Sequence, residues 1–492
     1  MLFGKSTRTI LNRNNEHSEN QTEIRLFPYP TIKSIRPSGT SQVLWIFPTP
    51  FTEIEMIWLE GLIILACIMI GARKNGVAMG FAGGVGLILL VFVFGLRPSS
   101  PPVNVLLIIT AVSAMAATLQ CAGGLDLLVS VAEKILRSNP NRITIMAPIV
   151  TFVFTMFTGT SYVAMAVYPV ISEVSLEAGI RVERPMSIAM VASQHGISAS
   201  PVSASTAALL GVLAVHGVTL GQIMAVAIPA IFIGCMLGAV SVYKRGVELE
   251  DDPEFQRRLK AGELTAQENR PAYVPTREAK LSVTIFGIAV ALIVLLGSFK
   301  GLMPSWNVNG KLVRLSIPNA IEMIAFAASF LMVLTCNIAP GKIAKSGVFT
   351  AGMTGVIAIF GIAWMTDTFF LAHKAEFIAS LGGTVQAYPW LFGVVLFGMS
   401  ALLLSQGATT SSLMPIGASL GLPVSSLVAM APAVNGLFFF PATGSAISAL
   451  TFDRSGTTHI GKYVLNHSYQ RPGFVTCISS IVIGFVIASF VF

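Results

Sequence analysis

Two runs of small hydroxyl and glycine residues, TGTS at 158–161 and SQGATTSS at 405–412, interrupt stretches that are otherwise apolar enough to cross a bilayer. Backbone that leaves the helix at membrane depth is tolerated only where it lines a cavity or is buried in protein, so both interruptions point to a binding site. A helix beginning at such a tip offers unpaired N–H groups and the positive end of its dipole. Thr158, Thr160, Ser161, Ser405, Thr409, Thr410 and Ser411 add hydroxyls and Gln406 adds an amide, around Gly159 and Gly407. That is chemistry for a small anion, and two tips facing each other would clamp a dianion at both ends. The competing reading is that small residues merely let helices pack closely.

A second pair of polar breaks, ISASPVSAS at 197–205 and FFFPATGSA at 438–446, follows the first pair in the same order. Pro201 and Pro441 each remove a helix hydrogen bond and free carbonyls that could ligate Na⁺. Ser200, Asn435 and Thr443 lie beside them. His195 could donate to a carboxylate, although an isolated histidine is more often a packed structural one. Asp367, in GIAWMTDTFF, is an acid inside an apolar span. Such a residue is costly unless paired or functional, which makes it the candidate for Na⁺ or H⁺ coupling. Glu60, Asp126, Glu133, Glu173, Glu177, Glu183, Glu322, Glu376 and Asp453 sit mostly at span ends, where solvated or snorkelling side chains are expected.

The elements that must position these residues follow from composition. With 54% apolar and 11% charged residues and a mean hydropathy of +0.76, the chain is too apolar for a soluble globule and reads as a polytopic membrane protein. The net charge of +8 is spread singly between apolar spans, which argues against nucleic acid. Five cysteines in apolar spans, without CxxC spacing, read as buried free thiols; no metal site and no cofactor is expected. HExxH and GxxxxGK[ST] patterns are absent, which disfavours an intramembrane enzyme.

Residues 1–55 are polar, with neither a long apolar run nor a signal-peptide cleavage pattern, and are expected to be a disordered leader, with Met56 an alternative start. Residues 244–280 hold eight basic and eight acidic residues and read as a charged cytoplasmic linker between a first repeat, 56–243, and a second, 281–492. Apolar runs fall near 57–72, 76–96, 103–121, 143–172, 186–216 and 219–243. Matching runs fall near 281–299, 318–336, 348–370, 390–420, 424–452 and 473–492. Reading 143–172 and 390–420 as re-entrant hairpins leaves five crossings per half. An odd number inverts the second half. The expected fold is therefore an all-α inverted repeat of two five-span halves, each with a re-entrant hairpin and a broken transmembrane helix. With the linker inside, twelve lysines and arginines face the cytoplasm and five face out, which satisfies the positive-inside rule.

FDRSGTTHIGKYVLNHS at 452–468, with GARKNG at 71–76, TLQCAGGLD at 118–126, IRVERP at 180–185 and GIAWMTDTFF at 361–370, resembles the anaerobic C4-dicarboxylate transporter (Dcu) family. The resemblance runs from Met56 to Phe492. It implies a carrier of fumarate, succinate, malate and aspartate in the bacterial inner membrane, working by exchange or cation-coupled uptake. It also implies a fold similar to the elevator-type carriers of the ion-transporter superfamily. Arg137 and Arg181 are the basic residues the resemblance marks for transport, a role that bidentate pairing with a carboxylate would explain. A homo-oligomer and a sensor-kinase partner are expected with it. The chain departs from the family's GTGH at the first tip, where it has Gly159-Thr160-Ser161-Tyr162, and from Tyr-Pro-Ser-Asp after the second proline, where it has Thr443-Gly444-Ser445-Ala446. Substrate range and coupling ion stay open on that account. The alternatives are a carrier of another organic anion and a non-transporting sensor partner.

Overall fold

The computed structural model describes residues 53–492 apart from 75, 265–272, 378–383, 385–386 and 461–465. The chain divides into two units, 1–45 and 46–492, and everything below concerns the second. The expected leader thus lies almost wholly outside the described residues. Among the described residues seven helices are long and apolar enough to cross a membrane: Val103–Cys121, Pro140–Thr158, Leu220–Val242, Arg277–Ser298, Ile317–Thr335, Gly347–Ala372 and Gln470–Val491.

The first described helix covers Glu53–Lys74 and is followed by Ala78–Ile88, which continues as a π-turn over Leu89–Val93. After Val103–Cys121 comes the amphipathic helix Gly124–Ser138. The first hairpin is Ile143–Thr158 and Tyr162–Glu177, turning at Gly159, and the first broken span is Glu183–Ser198 and Ala204–Leu213. The second hairpin is Trp390–Leu403 and Gln406–Ser419. The second broken span starts as Val424–Met430, tightens to a 3₁₀ helix over Ala431–Phe438 and resumes as Gly444–Phe452. A hairpin followed by a broken span therefore occurs in both halves.

Helix starts are written in the sequence. Thr276, Ser316 and Ser346 each accept a bond from the N–H three residues on, at 3.1, 3.3 and 3.2 Å. Thr219 and Gln222 form a reciprocal capping box. Each such cap contributes about 1 kcal/mol. Within the charged segment, Pro253–Lys260 is helical, and the span beginning at Arg277 takes over the last residues assigned to the linker. A two-stranded hairpin, Ser305–Val308 with Lys311–Arg314, was not expected from hydropathy.

The halves pack by exchange. Ala78–Ile88 lies on Gly347–Ala372, as Ile317–Thr335 lies on Val103–Cys121, and Leu220–Val242 pairs with Gln470–Val491. Tyr162–Glu177 meets Gly444–Phe452, while Gln406–Ser419 meets Ala204–Leu213, so each hairpin's second arm rests on the other half's broken span. Bilayer lipid gives helices no hydrophobic reason to associate, so backbone proximity must supply the attraction. Glycine makes it possible where Ala78–Ile88 crosses Gly347–Ala372: a Cβ on Gly361 would lie 1.9 Å from the Gly80 carbonyl oxygen. Gly361→Val should therefore separate these helices, and is expected to lower the thermal midpoint of the purified protein by several degrees or prevent insertion. An unchanged melting curve would contradict the packing.

Candidate functional site

At the first tip Gly159 holds φ +71°, and a Cβ there would lie 2.9 Å from the Val202 carbonyl oxygen. The tip can therefore press against the Pro201 break only because it is glycine. Thr158 donates its hydroxyl to the Phe154 carbonyl at 2.8 Å, and the hydroxyls of Thr160 and Ser161 remain half-buried. Thr158, Gly159 and Thr160 line a cavity of about 170 Å³ together with Val202, Ser203, Ser113 and Gly352. None of its described lining residues is charged.

At the second tip Leu404 takes φ +50° and Ser405 caps the next helix, accepting from the Ala408 N–H at 3.2 Å. Gln406 is buried, and its amide nitrogen lies 3.1 Å from the Gln194 carbonyl, 3.2 Å from the Gln194 side-chain oxygen and 3.3 Å from the Asn435 side-chain oxygen. Ser198 donates to the same Asn435 oxygen at 3.1 Å, and Asn435 donates to the Pro432 carbonyl at 2.9 Å. Thus the second tip and both broken spans share one polar network. Thr409 and Thr410 give their hydroxyls to the Ser405 and Gln406 carbonyls, each at 2.8 Å. Gly407 lies against Ala204, so the 202–204 turn touches both tips.

The two proline breaks share a device that reading them for freed carbonyls missed. Pro201-Val-Ser203-Ala-Ser205 and Pro441-Ala-Thr443-Gly-Ser445 both follow P-x-[ST]-x-S. Ser203 caps the resumed helix at the Thr206 N–H, 3.2 Å, and Thr443 does so at the Ala446 N–H, 3.3 Å. Two residues further, Ser205 meets Thr410 of the second hairpin at 3.1 Å, and Ser445 meets Tyr168 of the first hairpin at 2.6 Å. The motif restarts the helix and ties it across the halves. Ser200 accepts from the Val202 N–H at 3.3 Å, beside half-buried Pro201, and Pro441 is buried.

A larger cavity, about 630 Å³, is lined by Asn104, Ala208, Gly211, Arg314, Asp367, Ser411 and Pro415, among others. Val103–Cys121, Ala204–Leu213 and Gly347–Ala372 contribute to both cavities from different turns. Ile109, Ala208, Ile359, Leu403 and Ala408 belong to one buried apolar cluster among these elements. Each cavity is lined both by hairpin or broken-span residues and by residues of Val103–Cys121 and Gly347–Ala372. Ser411 faces the larger cavity; Thr409 and Thr410 line neither.

Other expected residues lie apart from both cavities. His195 is fully buried, with Nδ1 2.9 Å from the Val191 carbonyl and its ring stacked towards Phe438. Arg137 pairs with Glu133, Glu173 and Glu177 at 3.0, 2.9 and 3.3 Å. Arg181 is buried, bonding Glu183 at 2.8 Å and also Asp252 of the charged segment. Its neighbour Arg184 grips Glu248 through two bonds of 2.9 and 3.1 Å, and that hydrogen bonding holds the Glu248 carboxyl below its ordinary value.

Three acids expected at span ends to be solvated are instead buried. Glu60 bonds His373. Glu183 accepts from Ser468 at 2.8 Å as well as from Arg181. Asp453 organises FDRSGTTH, accepting from the N–H groups of Ser455 and Gly456 at 2.8 and 3.2 Å and from that of Thr458. The specific FDRSGTTHIG string is thus a junction that receives IRVERP, since the Glu183 N–H donates to Thr457 at 3.0 Å. Cys67, Cys235, Cys336 and Cys477 are buried, and all five thiols are free.

The profile of the family described as "Anaerobic c4-dicarboxylate membrane transporter" matches residues 56–492. Anaerobic C4-dicarboxylate transporter DcuB of Escherichia coli O6:H1 is 39% identical over 88% of this chain and 98% of its own. C4-dicarboxylate transporter DcuA of Wolinella succinogenes is 38% identical over 88% and 99%, and that of Escherichia coli K12 is 37% identical over 88% and 100%. The crystal structure of the Alcanivorax borkumensis YdaH transporter, described as having an unusual topology, aligns over 89% of this chain and 97% of its own at a TM-score of 0.53 and 15% identity, a likeness of fold. Helical composition and relatives together make this a multi-pass inner-membrane transporter and not an enzyme. The chain belongs to the anaerobic C4-dicarboxylate membrane transporter family.

Proposed function

We propose that this protein carries C4-dicarboxylates such as fumarate, succinate, malate and aspartate by alternating access, with the substrate held at the first tip. The observation that carries this reading is the cavity at Thr158, Gly159 and Thr160, lined by residues of both interrupted and intact helices. A volume of 170 Å³ equals five or six waters at about 30 Å³ each, enough for a four-carbon dianion with part of its hydration. Neutral donors suit a carrier. Hydroxyls and N–H groups bind a carboxylate without the tight hold of a desolvated arginine, so release is not prohibitive.

The exchange-related helix pairings support an inverted repeat of two five-span halves. Residues 143–242 and 390–491 then form the moving substrate domain, and residues 53–121 and 277–372 form the scaffold. Arg314 and Asp367 line the larger cavity, which serves as a vestibule where the arginine gathers dianions and the acid couples Na⁺ or H⁺ where transport is uptake instead of exchange.

Reconstituted in proteoliposomes, the protein should catalyse fumarate/succinate counterflow. Movement of gluconate or citrate while labelled fumarate stays put would overturn the substrate and leave only the architecture. Thr160→Ala should remove a hydrogen bond to a charged group, about 1.5–3 kcal/mol, and so weaken succinate binding roughly 10- to 150-fold. Thr409, whose hydroxyl is committed to the Ser405 carbonyl, should when changed to alanine alter stability more than affinity. Equal affinity in wild type and Thr160→Ala, measured by calorimetry, would remove the first tip from the binding site.

A further inference from the structure

A third cavity, about 750 Å³, lies away from both tips, where the chain enters Ile143–Thr158 and where Leu220–Val242 ends beside the start of Gln470–Val491. Arg142, Lys244, Arg245 and Arg471 line it, with Val240 and Tyr243, and no acid is among its described lining residues. Arg245 is engaged, donating to the Ser468 carbonyl at 2.9 Å and lying 3.7 Å from Glu183. Arg142, Lys244 and Arg471 are exposed, and among the described residues none has a carboxylate within ion-pair distance. Like charges gathered without counter-charge repel one another, and Arg142 and Arg471 stand at helix starts, where the dipole disfavours a cation. An anion relieves both terms.

The surface leading to this cavity is apolar. Ile233, Leu237 and Val240 are exposed at spacings of four and three along Leu220–Val242, so they form one stripe that ends at Tyr243 and Lys244. Ile478 and Val482 make a similar exposed row on Gln470–Val491, above Arg471. A tyrosine with cations below an apolar stripe at a helix end is the arrangement that meets a headgroup at the membrane interface. A soluble dianion would use the cations and leave the stripe idle. A phospholipid uses both.

We propose that this cavity is a binding site for an anionic phospholipid, with Arg142, Lys244 and Arg471 on the headgroup phosphate and the acyl chains along the Ile233–Leu237–Val240 stripe. The test is native mass spectrometry of the full chain in detergent, titrated with dioleoyl phosphatidylglycerol, dioleoyl phosphatidylcholine or glycerol 3-phosphate. The expected result is saturable phosphatidylglycerol binding that exceeds phosphatidylcholine binding. Each neutralised basic residue should weaken it about fivefold, so Arg142→Gln/Arg471→Gln should lose roughly twenty-five-fold, while Arg142→Lys/Arg471→Lys should stay near wild type. Lys244→Gln, in the segment after the helix, gives the single-charge value should the double variant fail to fold. Equal retention of both lipids, wild-type affinity in the glutamine variants, or displacement of phosphatidylglycerol by equimolar glycerol 3-phosphate would overturn the proposal. So would a stable dimer in the spectra that breaks on adding lipid, because the stripe would then be covered by a second copy.

Discussion

Hydrocarbon offers no partner to a polar backbone group, and this chain breaks four helices within its apolar segments. Everything else in the structure answers to that constraint. At each proline break a hydroxyl, Ser203 or Thr443, restarts the helix by accepting a stranded N–H of its first turn. The next residue but one, Ser205 or Ser445, then bonds a hairpin from the other half. At the second tip Ser405 repeats the capping, and Gln406 spends its amide on Gln194 and Asn435. The groups that repair the breaks stand within two residues of the groups that join the halves.

Two of the three buried clusters among the described residues follow that coupling, and the third joins interrupted and intact helices alike. One buried cluster runs from Ala132 through Tyr168 and Met190 to Phe438 and Cys477, uniting the amphipathic helix, the first hairpin, both broken spans and the last helix of each half. Another gathers Ile64, Met79, Ile109, Ile362 and Met365 in the intact helices, joined by Leu403 and Ala408 near the second tip. Both tip-side cavities lie where the interrupted segments meet the intact ones. A boundary packed with Gly159, Ala204, Gly352 and Gly407 presents few side chains that would have to repack if one group slid past the other. Charge is kept at the margins of this boundary, on Arg314 and Asp367, while the first-tip cavity is lined by neutral residues.

Span positions were legible because length and hydropathy are local properties: Val103–Cys121 stands where its apolar run stands, and the others shift by a few residues at their ends. Both hairpin tips were legible for the same reason, as glycine and hydroxyls inside apolar runs. What could not be read was partnership. Glu183 and Asp453 look like ordinary span-end acids until Thr457 and Ser468, more than 270 residues from Glu183, close around it. Arg137 and Arg181 suggested carboxylate recognition, and the carboxylates they meet in this structure belong to the protein itself. Two signals were present and unused: the repeated P-x-[ST]-x-S, whose proline drew attention from its serines, and Asn309-Gly310, both at positive φ, which marks the strand hairpin.

The central claim is that hairpins and broken spans of both halves move as one body against the intact helices. In a background lacking the five native cysteines, Ser205→Cys and Thr410→Cys would bring together two side chains whose oxygens lie 3.1 Å apart, close enough for a disulfide on oxidation. Fumarate/succinate counterflow by the oxidised protein, compared with the same sample after reduction, is the most direct measurement. Unchanged counterflow with the disulfide formed is the predicted result, since both cysteines ride on the moving body. Loss of counterflow that returns on reduction would mean that the hairpin and the opposite broken span must part during transport, and would contradict the account.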